Sequence, residues 1–142
     1  MPKHNYHATL LPNQCYHIYN HAIGKEDLFK QPKNYDFFWQ EENRHGSLFK
    51  AKFKRTLVNS QVRFDYFLCY IHHNPIHHHF VTDYEAYDYS SYSAYLENRP
   101  LEGLSKRPVL KRFKTHQDVT GRSGFIALHQ DFKDHYDWDL RA

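Results

Sequence analysis

The sequence predicts an α+β fold with few strands and several helices. Three observations predict it. Residues 15–23 (CYHIYNHAI) are rich in β-formers and alternate Tyr16 and Ile18 against His17 and Tyr19, a strand pattern. Residues 60–73 place Phe64, Phe67, Leu68 and Ile71 at the spacing of one helical face. Residues 121–135 read as one more helix near the end of the chain, through Phe125, Ile126, Leu128 and Phe132.

The elements follow in order along 142 residues, the length of one ordinary domain. Residues 1–14 read as a polar leader, and the first strand follows. Gly24 and Lys25 turn the chain. Gln31-Pro32-Lys33-Asn34 breaks it, and Asn34 can cap a helix through Tyr35, Phe37, Phe38 and Trp39. A second break falls at Arg44-His45-Gly46-Ser47. Residues 48–58 fit a helix through Phe49, Phe53 and Leu57. They also fit a strand, because Phe53 and Leu57 alternate with Lys54 and Thr56. Ser60 is the expected N-cap of the helix over 60–73, and Asn74-Pro75 is its expected end, since a residue before proline avoids helical backbone. Residues 84–96 (YEAYDYSSYSAYL) read as a loop and a short helix. Residues 100–108 read as a linker with basic flanks, and the last helix closes the pattern.

Composition narrows the function classes. Aromatic residues make up 18% of the chain, too many for a generically disordered one. No apolar run approaches a bilayer span, and no charged-then-apolar signal opens the chain, so a soluble cytoplasmic protein is expected. Two cysteines, Cys15 and Cys69, are too few for a disulfide scaffold and lack metal spacing. The formal charge of +3 is only mildly basic, but its distribution is uneven. Six basic residues (Arg44, Lys50, Lys52, Lys54, Arg55, Arg63) and no acid occur between Arg44 and Phe64. Five (Lys106, Arg107, Lys111, Arg112, Lys114) and no acid occur between Leu104 and Gln117. With Phe49, Phe53 and Phe113 interleaved, these stretches suit a phosphate backbone with stacked bases; a solvated charged face is the plainer reading.

Two features could carry chemistry. Tyr70 falls outside the expected apolar stripe and shares a helix face with Arg63, Tyr66 and His73. A phenol can attack a phosphodiester and hold it as a covalent phosphotyrosine, with cationic groups neutralising the phosphate oxygens. It is also one tyrosine among 12. The chain carries 13 histidines, and His72, His73, His77, His78 and His79 cluster at the end of that helix and just beyond it. His77 and His79 have the spacing that places two rings on one side of a strand, a geometry open to a metal, but no carboxylate completes a site. A polar surface tract is the reading preferred for these histidines, and no metal-ligand set is assigned.

Four segments in order, covering roughly residues 6–96, resemble the single-tyrosine transposases of the His-hydrophobic-His superfamily, closest to the REP-associated tyrosine transposases and their insertion-sequence relatives. They are residues 16–29 (YHIYNHAIGKEDLF), 44–55 (RHGSLFKAKFKR), 70–76 (YIHHNPI) and 89–92 (YSSY). Residues 125–129 (FIALH) extend the resemblance weakly. The resemblance implies a ferredoxin-like core that binds single-stranded hairpin DNA and cleaves and rejoins it through a 5′-phosphotyrosine, with a divalent metal, Mg or Mn. It implies Tyr70 as the nucleophile and turns residues 51–58 into a strand leading to the nucleophile helix. The family's metal-binding histidine pair has no counterpart, because Trp39-Gln40 runs almost directly into Glu41-Glu42-Asn43-Arg44. A β-hairpin is therefore missing near residues 40–43. The expected organisation is a truncated ferredoxin-like transposase core over residues 1–100, followed by a basic linker and C-terminal helix over 101–142. The first strand would then pair with residues 51–58.

The expected DNA contacts are Arg44, Lys50, Lys52, Lys54, Arg55, Arg63, Lys111 and Arg112. Two functions follow: a transposase-like protein that processes single-stranded hairpin DNA with Tyr70 and a metal, or a catalytically dead DNA-binding remnant or decayed fragment with no metal. No membrane partner is expected, and a homodimer is left open.

Overall fold

The computed structural model describes residues 8–20, 53–97 and 102–135. The turn at Gly24, the helix expected through Trp39, the break at Arg44–Ser47 and the basic residues Arg44, Lys50 and Lys52 lie outside the described residues. The chain forms two units, Met1–Phe64 and Asp65–Ala142.

In the first unit, strand β1 (Tyr16–Tyr19) pairs antiparallel with β2 (Lys54–Leu57). The register sets Tyr16 opposite Leu57, His17 opposite Thr56, Ile18 opposite Arg55 and Tyr19 opposite Lys54. Val58 N–H donates to the Cys15 carbonyl at 2.9 Å and extends the ladder. The ambiguity over residues 48–58 is thus resolved to strand for 54–57, paired with the first strand as expected. The Tyr16 hydroxyl donates to the Thr9 carbonyl at 2.8 Å and accepts Leu11 N–H at 2.9 Å, which ties residues 9–11 to β1.

Helix α1 (Gln61–His77) starts where the sequence predicts. Ser60 Oγ accepts Arg63 N–H at 3.3 Å, the third helical position, and the Ser60 carbonyl accepts Phe64 N–H. Two expectations fail beyond that. The buried face carries Cys69, His72, His73 and Pro75, whereas Ile71 is 50% exposed. The helix also continues through Pro75 to His77. A proline costs a helix one N–H, which matters little when the next turn ends the helix anyway. The true stop is a left-handed residue: His79 at φ 60°, with His79 N–H on the Ile76 carbonyl and Phe80 N–H on the Pro75 carbonyl at 3.0 and 2.9 Å. That is the paired 5→2 and 6→1 closure of a helix C-terminus, a position that favours glycine. His77 is therefore helical and His79 left-handed, so the strand arrangement that their spacing allows does not form. His79→Gly is expected to raise stability by about 1 kcal/mol by relieving the left-handed backbone; urea unfolding at neutral pH measures it, and a loss of stability contradicts the assignment.

The second unit gathers short elements around α4 (Arg122–His135). The loop over 84–91 holds a 3₁₀ turn, Tyr84–Ala86, and leads into α2 (Tyr92–Leu96), as expected. Helix α3 (Lys106–Leu110) begins inside the segment expected to be linker and runs into a 3₁₀ turn, Lys111–Phe113. Pro108 sits in the first turn of α3, where its missing N–H has no helical partner to lose. Lys106 Nζ donates to the carbonyls of Ala94 and Glu97 at 2.8 and 2.9 Å, placing a cation at the C-terminal end of α2. Asp118 organises the entry to α4: its carboxylate accepts Thr120, Gly121 and Ser123 N–H at 2.9, 3.0 and 2.9 Å. The hydroxyls of Ser123 and Thr120 also donate to it, and these bonds hold its carboxyl well below the usual range. Phe125 and Cys69 are fully buried, with Tyr84, Tyr92, Tyr95, Ala94 and Val109 around them; Ile126, expected inside, is 43% exposed. No helix among the described residues is long and apolar enough to cross a membrane.

Candidate nucleic-acid interface and the buried histidine chain

The sheet of the first unit separates two of the predicted DNA contacts. Side chains alternate along a strand, so Lys54 and Arg55 lie on opposite faces of β2. Arg55 Nε donates to the Ala8 carbonyl, which commits that guanidinium partly to the segment before β1. Lys54 shares its face with Thr56 and, through the register, with Tyr19 and His17. The rings of His17 and Tyr19 are stacked, 5.1 Å apart and 17° from parallel. Burial lowers the His17 pKa, so that ring is neutral at pH 7. A lysine beside a stacked aromatic pair is the combination that holds a single strand: a cation for the phosphate and a flat surface for the base. Arg63, at the start of α1, donates from Nη1 to Asn59 Oδ1 at 3.4 Å.

In the second unit, Tyr70 is half-buried on α1. Its ring stacks on Tyr66, one turn earlier, at 5.9 Å and 19°. Tyr66 in turn meets Phe132 of α4 edge-on at 5.9 Å. His73, expected on the same surface as Tyr70, is instead 5% exposed and packs against Phe132 and Tyr84. Arg112 forms an ion pair with Asp65 and lies 5.3 Å from the centroid of Phe113, while Lys111 is exposed beside it. Part of the second basic stretch is thus engaged within the protein itself.

The polar centre of the second unit is a chain that sequence reasoning missed. His72 and His129 are 2% and 0% exposed. His129 Nδ1 lies 2.8 Å from the Phe125 carbonyl, His129 Nε2 lies 2.8 Å from His72 Nδ1, and His72 Nε2 lies 2.8 Å from Ser91 Oγ. A carbonyl only accepts, so His129 Nδ1 carries a hydrogen. With His129 neutral, its Nε2 accepts from His72 Nδ1–H, and His72 Nε2 then accepts the Ser91 hydroxyl. Every ring nitrogen is satisfied, and both tautomers are fixed. Burial lowers the pKa of both imidazoles, His72 to about 3, with its neighbour His129 adding to the effect, and His129 to about 4. Beside them, Tyr84 donates to the His129 carbonyl at 2.9 Å and accepts from His73 Nδ1 at 3.0 Å. Burial raises the phenols of Tyr84, Tyr92 and Tyr95 and pushes the Cys69 thiol up to about 12, so none of these is a ready nucleophile.

The signal for this chain was in the sequence but pointed elsewhere. His72, Ser91 and His129 fall in residues 70–76, 89–92 and 125–129, three of the segments that carry the resemblance. The preference for a polar surface tract holds for His78 and His79, which are exposed, and fails for His72 and His73. Among the described residues, no group of three or more His, Cys, Asp or Glu could hold a metal ion. Comparison of the chain with protein-family models, curated proteins and solved structures gives no match.

Proposed function

We propose that the chain is a transposase-like DNA-binding protein for single-stranded hairpin DNA, built on a truncated ferredoxin-like core. The observation that carries this reading is the Lys54 face of the sheet, where a cation stands with the stacked His17–Tyr19 pair. The order of elements adds support: the basic strand β2 leads through Val58, Asn59 and Ser60 directly into α1, the helix that bears Arg63 and Tyr70.

The described residues bring no three of His, Cys, Asp or Glu together as metal ligands. What Tyr70 itself offers is a half-buried phenol held by stacking on Tyr66, and cleavage would join its oxygen to the scissile phosphate as the leaving sugar hydroxyl departs.

Fluorescence anisotropy with a labelled single-stranded hairpin tests the binding. With about four phosphates contacted, affinity is expected to fall about 50-fold between 50 and 200 mM salt. Lys54→Ala should make that dependence shallower by about one contact. Equal affinity for a blunt duplex, or binding indifferent to salt, overturns the proposal. The same mixture with Mg²⁺ or Mn²⁺, run on a denaturing gel, separates binding from cutting. A covalent band that disappears in Tyr70→Phe makes the chain an enzyme, and a shift without a band makes it a binding remnant.

A further inference from the structure

We infer that the Ser91–His72–His129 chain is an acid-sensitive latch, holding α1, α2 and α4 together only while both imidazoles are neutral. With both imidazoles neutral, its geometry leaves one way to be satisfied. The Phe125 carbonyl fixes the direction of donation, and each 2.8 Å contact depends on the one before it. A proton added to His72 Nε2 meets the Ser91 hydroxyl, which must turn from donor to acceptor. A proton added to His129 Nε2 meets His72 Nδ1–H directly, so two donors face each other inside the core.

Among the described residues, no carboxylate is hydrogen-bonded to either imidazole to take up a positive charge. From α1 the neighbours are the Cys69 thiol and His73, and His73 itself feels His77 and Lys133. From the 3₁₀ turn comes the Tyr84 phenol, and from α2 the rings of Tyr92 and Tyr95. The nearby carboxylates have other partners: Asp65 pairs with Arg112, Asp83 with Lys133, Asp131 with His135, and Asp134 accepts from Gln130. Glu85 is exposed and is felt at Tyr92. The described residues of the buried cluster therefore offer hydroxyls, a thiol and rings.

The sign follows from linkage. Both histidines have lowered folded-state pKa values, about 3 and about 4, and titrate at the ordinary 6.5 when the chain unfolds. Below pH 6.5 the unfolded chain binds more protons than the folded one. The stabilisation is complete above that pH and drains away as pH falls toward the folded-state values. Helix α1 also bears Tyr70, so opening the latch releases the helix on which the Tyr66–Tyr70 stack is built.

Urea unfolding of the full chain at pH 6 and pH 5 tests this. The two histidines together are expected to raise the unfolding constant about 60-fold over that single pH unit. In the double variant His72→Phe with His129→Phe, which keeps two rings and removes both titrating groups, the rise should be smaller by the same factor. An equal rise in the variant overturns the latch. If the variant does not fold, the unaltered protein still decides through the NMR pH titration of its imidazole Cε1–H signals. His72 and His129 should hold their neutral positions from pH 7 to pH 5. Midpoints between pH 6 and 7 for both overturn the proposal.

Discussion

Gly121→Ala is expected to cost about 3–5 kcal/mol, a large share of the stability of a domain this size. Gly121 is buried at the entry to α4 with φ 77°, in the left-handed region that an L side chain occupies at about 1–2 kcal/mol. The larger part is steric. A Cβ there would stand 2.1 Å from the Leu110 carbonyl oxygen and 3.2 Å from Lys114 N, both backbone atoms that no rotamer change can withdraw. Either the end of α3 or the start of α4 must move, and α4 supplies Phe125 and His129 to the core. Gly103 supplies the control. Its φ is 76°, nearly the same, but nothing lies within 4 Å of its added Cβ. Gly103→Ala should therefore show the backbone cost alone, about 1–2 kcal/mol. Urea midpoints of the two variants at pH 7 make the comparison. Equal losses would mean that the approach of Leu110 to Gly121 contributes nothing.

The same contrast between local and distant causes explains what could be read from the sequence. The strand at Tyr16–Tyr19, the Ser60 cap and the last helix were legible, because each depends on residues within a few positions of itself, whereas the pattern over residues 48–58 fitted helix and strand alike and the pairing with β1 decided for strand. Alternation, a hydroxyl three residues before its N–H, and an apolar repeat are local signals. The inward face of α1 was not legible. Ranking residues by hydropathy turns Ile71 inward and His72 outward, and the structure does the reverse. An imidazole goes inside only when both nitrogens find partners, and those of His72 lie 19 and 57 residues away. The end of α1 was misread for a related reason. Asn74-Pro75 looks like a stop, but the actual stop requires His79 in a left-handed conformation that no pattern of side chains announces. Of the candidate site, the tyrosine helix and the basic strand could be named from sequence, while the split of Lys54 and Arg55 between two faces required the register with β1.

That dependence on distant partners also sets the expected result for His129→Ala, about 4–6 kcal/mol of lost stability. The ring is fully buried and packs against Phe125, tilted 40° to it with centroids 4.2 Å apart, so deleting it leaves a cavity of the kind that costs about 3–5 kcal/mol for a core aromatic. It also strands His72 Nδ1–H, a buried donor left with no acceptor, at about 1–3 kcal/mol more, partly offset if water enters the cavity. Ser91→Ala cuts the other end of the chain. Ser91 is only half-buried, so water can replace its hydroxyl at His72 Nε2, and about 1 kcal/mol is expected. His129→Phe separates the two parts of the larger loss: it refills the cavity but keeps the stranded donor. Adding His72→Phe to it should then restore stability, because removing both partners of a buried hydrogen bond costs less than removing one. Unfolding at pH 7 across the set reads this directly. If His129→Ala costs no more than Ser91→Ala, the histidine chain does not hold the second unit together. If His72→Phe only adds to the loss in His129→Phe, the bond between the two imidazoles is not what that loss measures.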